Sequence, residues 1–314
     1  MVRIWRDLDE VPGDLGPTVV TVGNFDGVHL GHRHVVARSR ETAAERGIGH
    51  VVAVTFDPHP IAVLRPEHAP PTLTTIETRG ELLGEAGVDD VLVVPFDRSV
   101  AEWSPERFVD EILVEALSAA AVVVGANFRF GYRAAGDVAV LRELGESRGF
   151  STEGVALDGG PQVWSSTYVR NCLAAGDVEG AAEALGRPFD VRGTVARGDG
   201  RGRDLGYPTA NVPTHGMAAA PADGVYAGWL QVLPDEERLP VAISVGTNPT
   251  FDGDRERRVE SYVLDRDDLD LYGKEVRVEF VARIRGMKRF EGIDDLVSAM
   301  ADDVARTRAV LQVG

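Results

Sequence analysis

TVVTVGNFDGVHLGH (Thr18–His32) is the stretch whose reading decides the fold. Its first five residues are all β-branched and read as a short strand. Gly23, Gly27 and Gly31 then interrupt the run, and a helical stretch follows, ending near Arg46–Gly47. A strand that passes through a glycine turn into a helix marks the ligand-binding edge of an open α/β sheet.

The neighbouring sequence extends the pattern. VVAVTF (Val51–Phe56), closed by Asp57-Pro58-His59-Pro60, is a continuous apolar run of the kind found in strands buried on both faces. Glu77–Gly87 reads as a helix, Val91–Pro95 as a strand, Pro105–Leu117 as a helix and Ala121–Gly125 as a further buried strand. Strands alternating with helices predict a parallel sheet with right-handed crossovers. After Gly186-Arg187-Pro188 the texture changes. Short β-rich runs at 190–196, 224–232, 240–246, 258–264 and 275–284 follow one another, separated by turn clusters such as Pro221–Gly224 and Asp252–Asp254. They predict an antiparallel barrel or sandwich, closed by an amphipathic helix carrying Ile293, Leu296, Met300, Val304 and Leu311. The expected domains are residues 1–186 and 187–314.

Composition narrows the function. Of 314 residues 44% are hydrophobic and 26% charged, a globular balance. No run approaches the ~18 apolar residues of a membrane helix, and the first residues lack a signal-peptide core, so the expected setting is the cytoplasm, with no membrane partner. A net charge of −17 repels phosphate backbones and argues against nucleic acid. Anionic ligands must then be held by helix N-termini, glycine-lined backbone and individual arginines. Cys172 is the only cysteine, which excludes an internal disulfide and a thiolate-rich zinc site; it reads as a small buried hydrophobe. The only lysines are Lys274 and Lys288, and neither stands in a P-loop or protein-kinase motif.

His29 and His32 are three residues apart, on one helix face at the positive end of its dipole. With glycine-lined backbone N–H groups, two imidazoles can hold and neutralise charge developing on a nucleotide's phosphates. Two other readings stand beside this one: a histidine-bearing helix cap, and a zinc site from His29, His32 and His34. No carboxylate or cysteine sits at ligand spacing for zinc, and the strand–turn–helix context favours the nucleotide.

GNFDGVHLGH resembles the His-x-Gly-His signature of nucleotidyltransferases, and with TFDPHP (Thr55–Pro60) it resembles the bifunctional bacterial FAD synthetase family. GANFRFG (Gly125–Gly131) and Ser165-Ser166-Thr167 with Arg170 agree. The resemblance implies a Rossmann-like nucleotidyltransferase domain in which His29, His32 and Asn127 contact ATP phosphates. Gly23, Asn24, Phe25, Asp26 and Gly31 would line the nucleotide turn, and Ser166, Thr167 and Arg170 would close over it. Phe56, Asp57, Pro58, His59 and Phe128 would face the flavin, although packing roles for Phe56, His59 and Phe128 stay open. Trp164 and Ala126 depart from the family's pattern, which usually has a small aliphatic residue and an acid there.

The second half carries Gly198-Asp-Gly200-Arg201-Gly202-Arg203, then Leu205-Gly-Tyr-Pro208-Thr209-Ala-Asn211. Alternation along a strand puts Thr209 and Asn211 on one face, where hydroxyl and amide oxygens suit a hard cation such as Mg²⁺. With GVYAG (Gly224–Gly228), TNPTF (Thr247–Phe251) and VESYV (Val259–Val263), the segment resembles riboflavin kinases. That implies a six-stranded antiparallel barrel with a C-terminal helix, ATP phosphates under the glycine–arginine loop, and Glu260 accepting the proton of the flavin's ribityl hydroxyl. Arg285, Arg289 and Phe290 match the family's closing segment, whereas Met287 stands where a glutamate is common. The resemblance therefore implies an enzyme that uses Mg²⁺ and ATP to convert riboflavin to FMN and then FMN to FAD. A nucleotidyltransferase with another acceptor would leave the barrel motifs unexplained, and a non-catalytic sensor would have no need of His29, His32, Asn211 and Glu260. The oligomeric state is not legible.

Overall fold

Apolar runs with a side chain on each face of the sheet set the layout of the first half. The computed structural model describes residues 2–156, 164–197, 206–214, 218–235, 237–246, 257–266 and 268–313. The chain divides into two compact units, Met1–Ser166 and Thr167–Gly314.

In the first unit, β1 (Arg3–Trp5), β2 (Thr18–Val22), β3 (His50–Asp57), β4 (Asp90–Pro95), β5 (Ala119–Gly125) and β6 (Ser151–Val155) form one sheet in the order β1-β4-β3-β2-β5-β6. All five pairings are parallel. The helices are α1 (Leu30–Arg46), α2 (Pro60–Leu64), α3 (Ile76–Ala86), α4 (Arg98–Ala101), α5 (Pro105–Phe108) and α6 (Val138–Arg148). Val19, Val51, Ala53, Val91 and Val123 pack with Val36 of α1 and Leu83 of α3 on one face. Val20, Val52, Val54, Leu92 and Val122 pack on the other with Ile112, Leu113 and Leu141. Two buried faces explain why these strands read as unbroken apolar runs. The helix expected over Pro105–Leu117 is present, but after α5 it continues as π-helix over Val109–Ala116.

The chain leaves β2 toward β3 on one side, while β5 lies on the other. The strand order reverses between β2 and β5, and a crevice at such a reversal is where open α/β sheets take ligands. GNFDG follows β2, and GANFRFG begins at the last residue of β5.

The second unit holds all of α7 (Ser166–Ala175) after its first residue, then α8 (Val178–Leu185) and strands β7 (Phe189–Thr194), β8 (Thr209–Pro213), β9 (Gly224–Val232), β10 (Arg238–Gly246), β11 (Arg258–Val263) and β12 (Glu275–Gly286). They pair antiparallel in the order β7-β12-β9-β10-β11-β8. Beyond β7 the sheet curls back on itself, where the Ala196 N–H donates to the Asn211 carbonyl at 2.8 Å. Alternation buries Val191, Val212, Tyr226, Leu230, Ile243, Val259, Val278 and Phe280 inside the curl. At Gly228 a Cβ would lie 1.9 Å from the Glu279 carbonyl oxygen, so only glycine lets β9 and β12 cross there. Helix α9 (Ile293–Leu311) covers part of the outer face and is fastened by Arg285, whose Nη2 donates to Asp303 at 2.7 Å.

The units divide at Ser166, upstream of the change of texture at 186. Helix α8 buries Val178, Ala181 and Leu185 and packs on β7 and β12. An amphipathic helix groups with the surface that covers it, not with the sequence that resembles it. Among the described residues no helix is long and apolar enough to cross a membrane.

Candidate active sites

After β2 the chain turns sharply into α1. Phe25 (φ 49°), Gly27 (φ 85°) and Val28 (φ 41°) all lie in the left-handed region. For a non-glycine residue that conformation costs on the order of 1–3 kcal/mol, so the surroundings must hold it. Phe25 is buried, with its ring edge-on to His32 at 5.2 Å. The Asp26 carboxylate, 1% exposed, accepts from the Leu73 and Thr74 N–H groups at 3.0 Å. The Gly27 N–H donates to Thr74 Oγ1 at 3.1 Å, and the Gly23 N–H to the Val54 carbonyl at 3.0 Å. Thr55 Oγ1 donates to the Asn24 carbonyl at 2.9 Å. Behind them Arg79, from α3, donates to Thr55 Oγ1 at 3.1 Å, to the Thr74 carbonyl at 3.3 Å and to Asp26 at 3.5 Å.

The side chains of Phe25 and Asp26 build the floor of the turn. The N–H groups of Gly23 and Gly27 are taken up by the protein. Gly31 has another reason to be glycine: a Cβ there would meet the His29 ring at 3.1 Å and the Trp164 carbonyl oxygen at 3.4 Å.

His29 does not lie within the helix but caps it. Its Nδ1 accepts from the His32 N–H at 3.3 Å, which puts the proton of the neutral ring on Nε2. The two rings stack at 3.6 Å between centroids. Burial lowers the His29 pKa to about 4, against a smaller opposing pull from Asp26. Burial first, then His29 and Arg79, holds His32 well below the ordinary histidine value. Both imidazoles are therefore neutral at pH 7, and a neutral ring keeps one N–H donor. The Leu30 and Gly31 N–H groups, in the first turn of α1, have no acceptor among the described residues and add the dipole's positive end. Among the described residues no group of three His, Cys, Asp or Glu side chains could hold a metal ion.

Of the other predicted residues, Ser166 and His59 touch this turn. Ser166 Oγ donates to the Asp26 carbonyl at 2.8 Å, which ties the Ser-Ser-Thr segment to the glycine turn. Thr167 is exposed and Arg170 half-buried, one turn apart on α7. Asn127 is exposed just beyond β5. His59 caps α2, with Nδ1 accepting from the Ile61 N–H at 3.2 Å, and its Nε2 meets the Asn24 side chain at 3.2 Å. Asp57 and Pro58 are exposed. Phe56 and Phe128 join one aromatic cluster with Phe96, Phe108 and Phe130, at centroid distances of 5.4–6.5 Å. Cys172 is buried, as expected, and burial pushes its thiol pKa up. Thr55, Thr74 and Arg79 were not picked out from sequence; Arg79 sits in a charged helical stretch that reads as solvent-facing.

In the second unit Asn211 lies directly opposite Glu260 in the β8–β11 pair, and Thr209 opposite Tyr262. Opposed residues share a face, so Thr209, Asn211 and Glu260 all stand on the outer side of the curled sheet. Asn211 is nonetheless 7% exposed. Its Nδ2 donates to the Thr209 carbonyl at 3.2 Å, which turns Oδ1 away from its own strand. Ser244 of β10 is opposite Glu260 on its other side, and Tyr207 packs edge-on to Tyr262 at 5.0 Å. Pro208 is half-buried just before β8. Gly198, Gly200, Arg201, Gly202 and Arg203, and the Thr247–Phe251 motif, lie outside the described residues. Met287 is exposed, and Arg289 and Phe290 follow it beyond β12.

Comparison with known proteins agrees with both halves. Residues 12–167 match the FAD synthetase family and residues 185–311 the riboflavin kinase family. The bifunctional riboflavin kinase/FMN adenylyltransferase of Escherichia coli K12 is 36% identical over 98% of this chain and 96% of its own length. The Pseudomonas fluorescens protein of that name is 39% identical over 98% of both chains. A solved structure described as a macrolide-efflux protein from Streptococcus pneumoniae superposes with a TM-score of 0.86 at 29% identity, covering 98% of both chains. The parallel-sheet unit and the antiparallel curl thus fall in two halves of one enzyme: the chain belongs to the bifunctional riboflavin kinase/FMN adenylyltransferase family, with FAD synthetase in its N-terminal half and riboflavin kinase in its C-terminal half.

Proposed function

We propose that the two steps divide functionally near residue 186 and are carried by two unlike sets of side chains. In the N-terminal half, a phosphate oxygen of FMN attacks the α-phosphorus of ATP, the bond to the β-phosphate breaks, and pyrophosphate leaves. His29 and His32 donate N–H hydrogen bonds to the phosphate oxygens, the N-terminus of α1 adds its backbone donors, and Asn127, Ser166, Thr167 and Arg170 complete the grip. The aromatic cluster around Phe56 and Phe128, with His59 beside it, faces the flavin.

In the C-terminal half, Glu260 takes the proton from the ribityl hydroxyl of riboflavin as that oxygen bonds to the γ-phosphorus of ATP, and ADP leaves. Mg²⁺ enters as Mg·ATP. The Thr209 hydroxyl and Asn211 amide oxygen are hard, uncharged donors on one strand face, which suits an ion that keeps most of its ligands as water and phosphate. Bound there, it would screen phosphate charge. Pro208 and the 198–203 loop are assigned to the ATP side of the same face. Small-molecule substrates in the cytoplasm complete this reading.

The observation that carries this reading is convergence: Ser166 meets Asp26 across the first unit, and Glu260 stands opposite Asn211 in the second. The test supplies the purified enzyme with riboflavin, ATP and MgCl₂ and separates FMN from FAD by chromatography. His29→Ala with His32→Ala should make FMN accumulate without FAD. FAD made at the wild-type rate by this double variant overturns the assignment of the histidines.

A further inference from the structure

The nucleotide turn is strained at Phe25 and Val28, and the Phe25 ring packs edge-on to His32 of α1. Behind the turn lies one buried guanidinium that reaches it by two routes. Arg79 is 5% exposed, and its Nη1 donates to Thr55 Oγ1 while that hydroxyl donates onward to the Asn24 carbonyl. Its Nη2 reaches Asp26 and the Thr74 carbonyl. Asp26 in turn fixes the Leu73–Thr74 backbone, whose Thr74 hydroxyl receives the Gly27 N–H. Both ends of the turn, Asn24 and Gly27, are therefore tied through short chains of hydrogen bonds to the same buried cation. A planar fork that serves three acceptors at fixed angles cannot be replaced by a flexible ammonium without loss of geometry.

We propose that Arg79 is a positioning residue for adenylyl transfer: it holds the Asn24–Val28 turn in the conformation that aims the N-terminus of α1 and the His29–His32 pair at the phosphates. It touches no substrate. Its influence passes through Thr55 to one end of the turn and through Asp26 and Thr74 to the other. The inference rests on the reading that this turn holds ATP, and the test separates the two.

Arg79→Lys and Thr55→Val are made in the full-length chain. The first keeps the charge and loses the fork; the second keeps the cation and its contact with Asp26 but cuts the relay to Asn24. Initial rates of FAD formation are measured with ATP and FMN varied in turn. Riboflavin phosphorylation and thermal unfolding are measured on the same preparations. A misplacement of about 1 Å is enough to cost on the order of 10²-fold in turnover. The kcat for FAD formation should fall by roughly that factor in Arg79→Lys and by about tenfold in Thr55→Val, with the KM for FMN within about threefold and riboflavin phosphorylation retained. A purely structural role would lower the unfolding temperature and leave the kcat of the folded enzyme intact. Folded variants with kcat within threefold of wild type overturn the proposal. His29→Ala with His32→Ala is run alongside. If that pair is inactive while both new variants are normal, Arg79 alone is misassigned; if the pair is fully active, the reading of the turn itself fails.

Discussion

The two halves meet the same reagent, ATP, with opposite equipment. At the crevice of the parallel sheet stand neutral imidazoles and a helix N-terminus, while the nearest carboxylate in the turn, Asp26, is buried and bonded to backbone N–H groups. On the barrel's outer face stands a half-buried glutamate opposite an asparagine, with a threonine hydroxyl beside them. On the proposed roles, the nucleophiles account for the difference. The phosphate of FMN arrives already ionised and has no proton to give up, so that site needs donors and no base. The hydroxyl of riboflavin must lose a proton as it attacks, so that site needs a carboxylate. A free carboxylate in the crevice would repel both phosphates.

The sharpest way to break this comparison is Glu260→Gln. Shape and hydrogen bonding persist, but no group accepts the proton, and loss of a general base typically costs ~10²–10⁴-fold. FMN formation should fall by that factor, whereas FAD synthesis from added FMN stays close to wild type. Near-normal kinase turnover across pH 6–9 would return Glu260 to the status of a surface residue. His29→Ala with His32→Ala is the mirror experiment. Donors aimed at developing charge are worth roughly 10²–10³-fold in turnover, so FAD formation should drop by at least that factor while phosphorylation of riboflavin continues. A matched loss of both activities would mean that the variant perturbs the whole chain, and the contrast would fail.

A third prediction concerns the boundary. Fragments 167–314 and 187–314 both contain every riboflavin kinase motif, and both should phosphorylate riboflavin. They should differ in stability, because the shorter one lacks Val178, Ala181 and Leu185 of α8 and uncovers β7 and β12. Burying a valine or leucine side chain contributes about 1.5–3 kcal/mol each, so the longer fragment should be more stable by several kcal/mol in urea titrations. Equal stability would show that α8 contributes nothing to the barrel unit.

How much of this was legible in sequence follows from what each signal reports. Val51–Phe56 announced a strand buried on both faces, and spacing of two put Thr209 and Asn211 on one side, because periodicity reports a residue's own face. It does not report what covers that face. Hence the change of texture at 186 does not show that α8 packs on β7 and β12, and nothing in Glu77–Gly87 marks Arg79 as buried. The edge strands β1 and β6 were missed for a related reason. Arg3–Trp5 is three residues long, and Ser151–Val155 is a polar stretch suited to a sheet edge, so neither has the apolar run that betrays a central strand. Motifs point to Glu260 and the histidines, yet the electrostatic state of the two imidazoles is not legible in them. Nothing in His-x-x-His says that one ring caps a helix and stacks on the other.

That last point carries the smallest of the predicted effects. An exposed histidine has a pKa near 6.5, whereas burial holds His29 at about 4. Between those values the unfolded chain binds a proton that the folded chain refuses, so stability rises with pH across the interval. The contribution is fully present above about pH 6.5 and is lost as pH falls, by up to about 1.4 kcal/mol per pH unit for His29 alone. His32, shifted in the same direction, steepens the loss. In the second unit no histidine lies among the described residues, so the acid sensitivity should fall on the first. His29→Asn isolates the effect, because asparagine caps a helix well and carries no titrating ring. Urea unfolding of the full-length chain from pH 7 to pH 4.5 should show the first unit's stability falling less steeply in His29→Asn than in wild type. Identical slopes would mean that His29 binds protons as readily in the folded protein as out of it, and the crevice would then hold a cation after all.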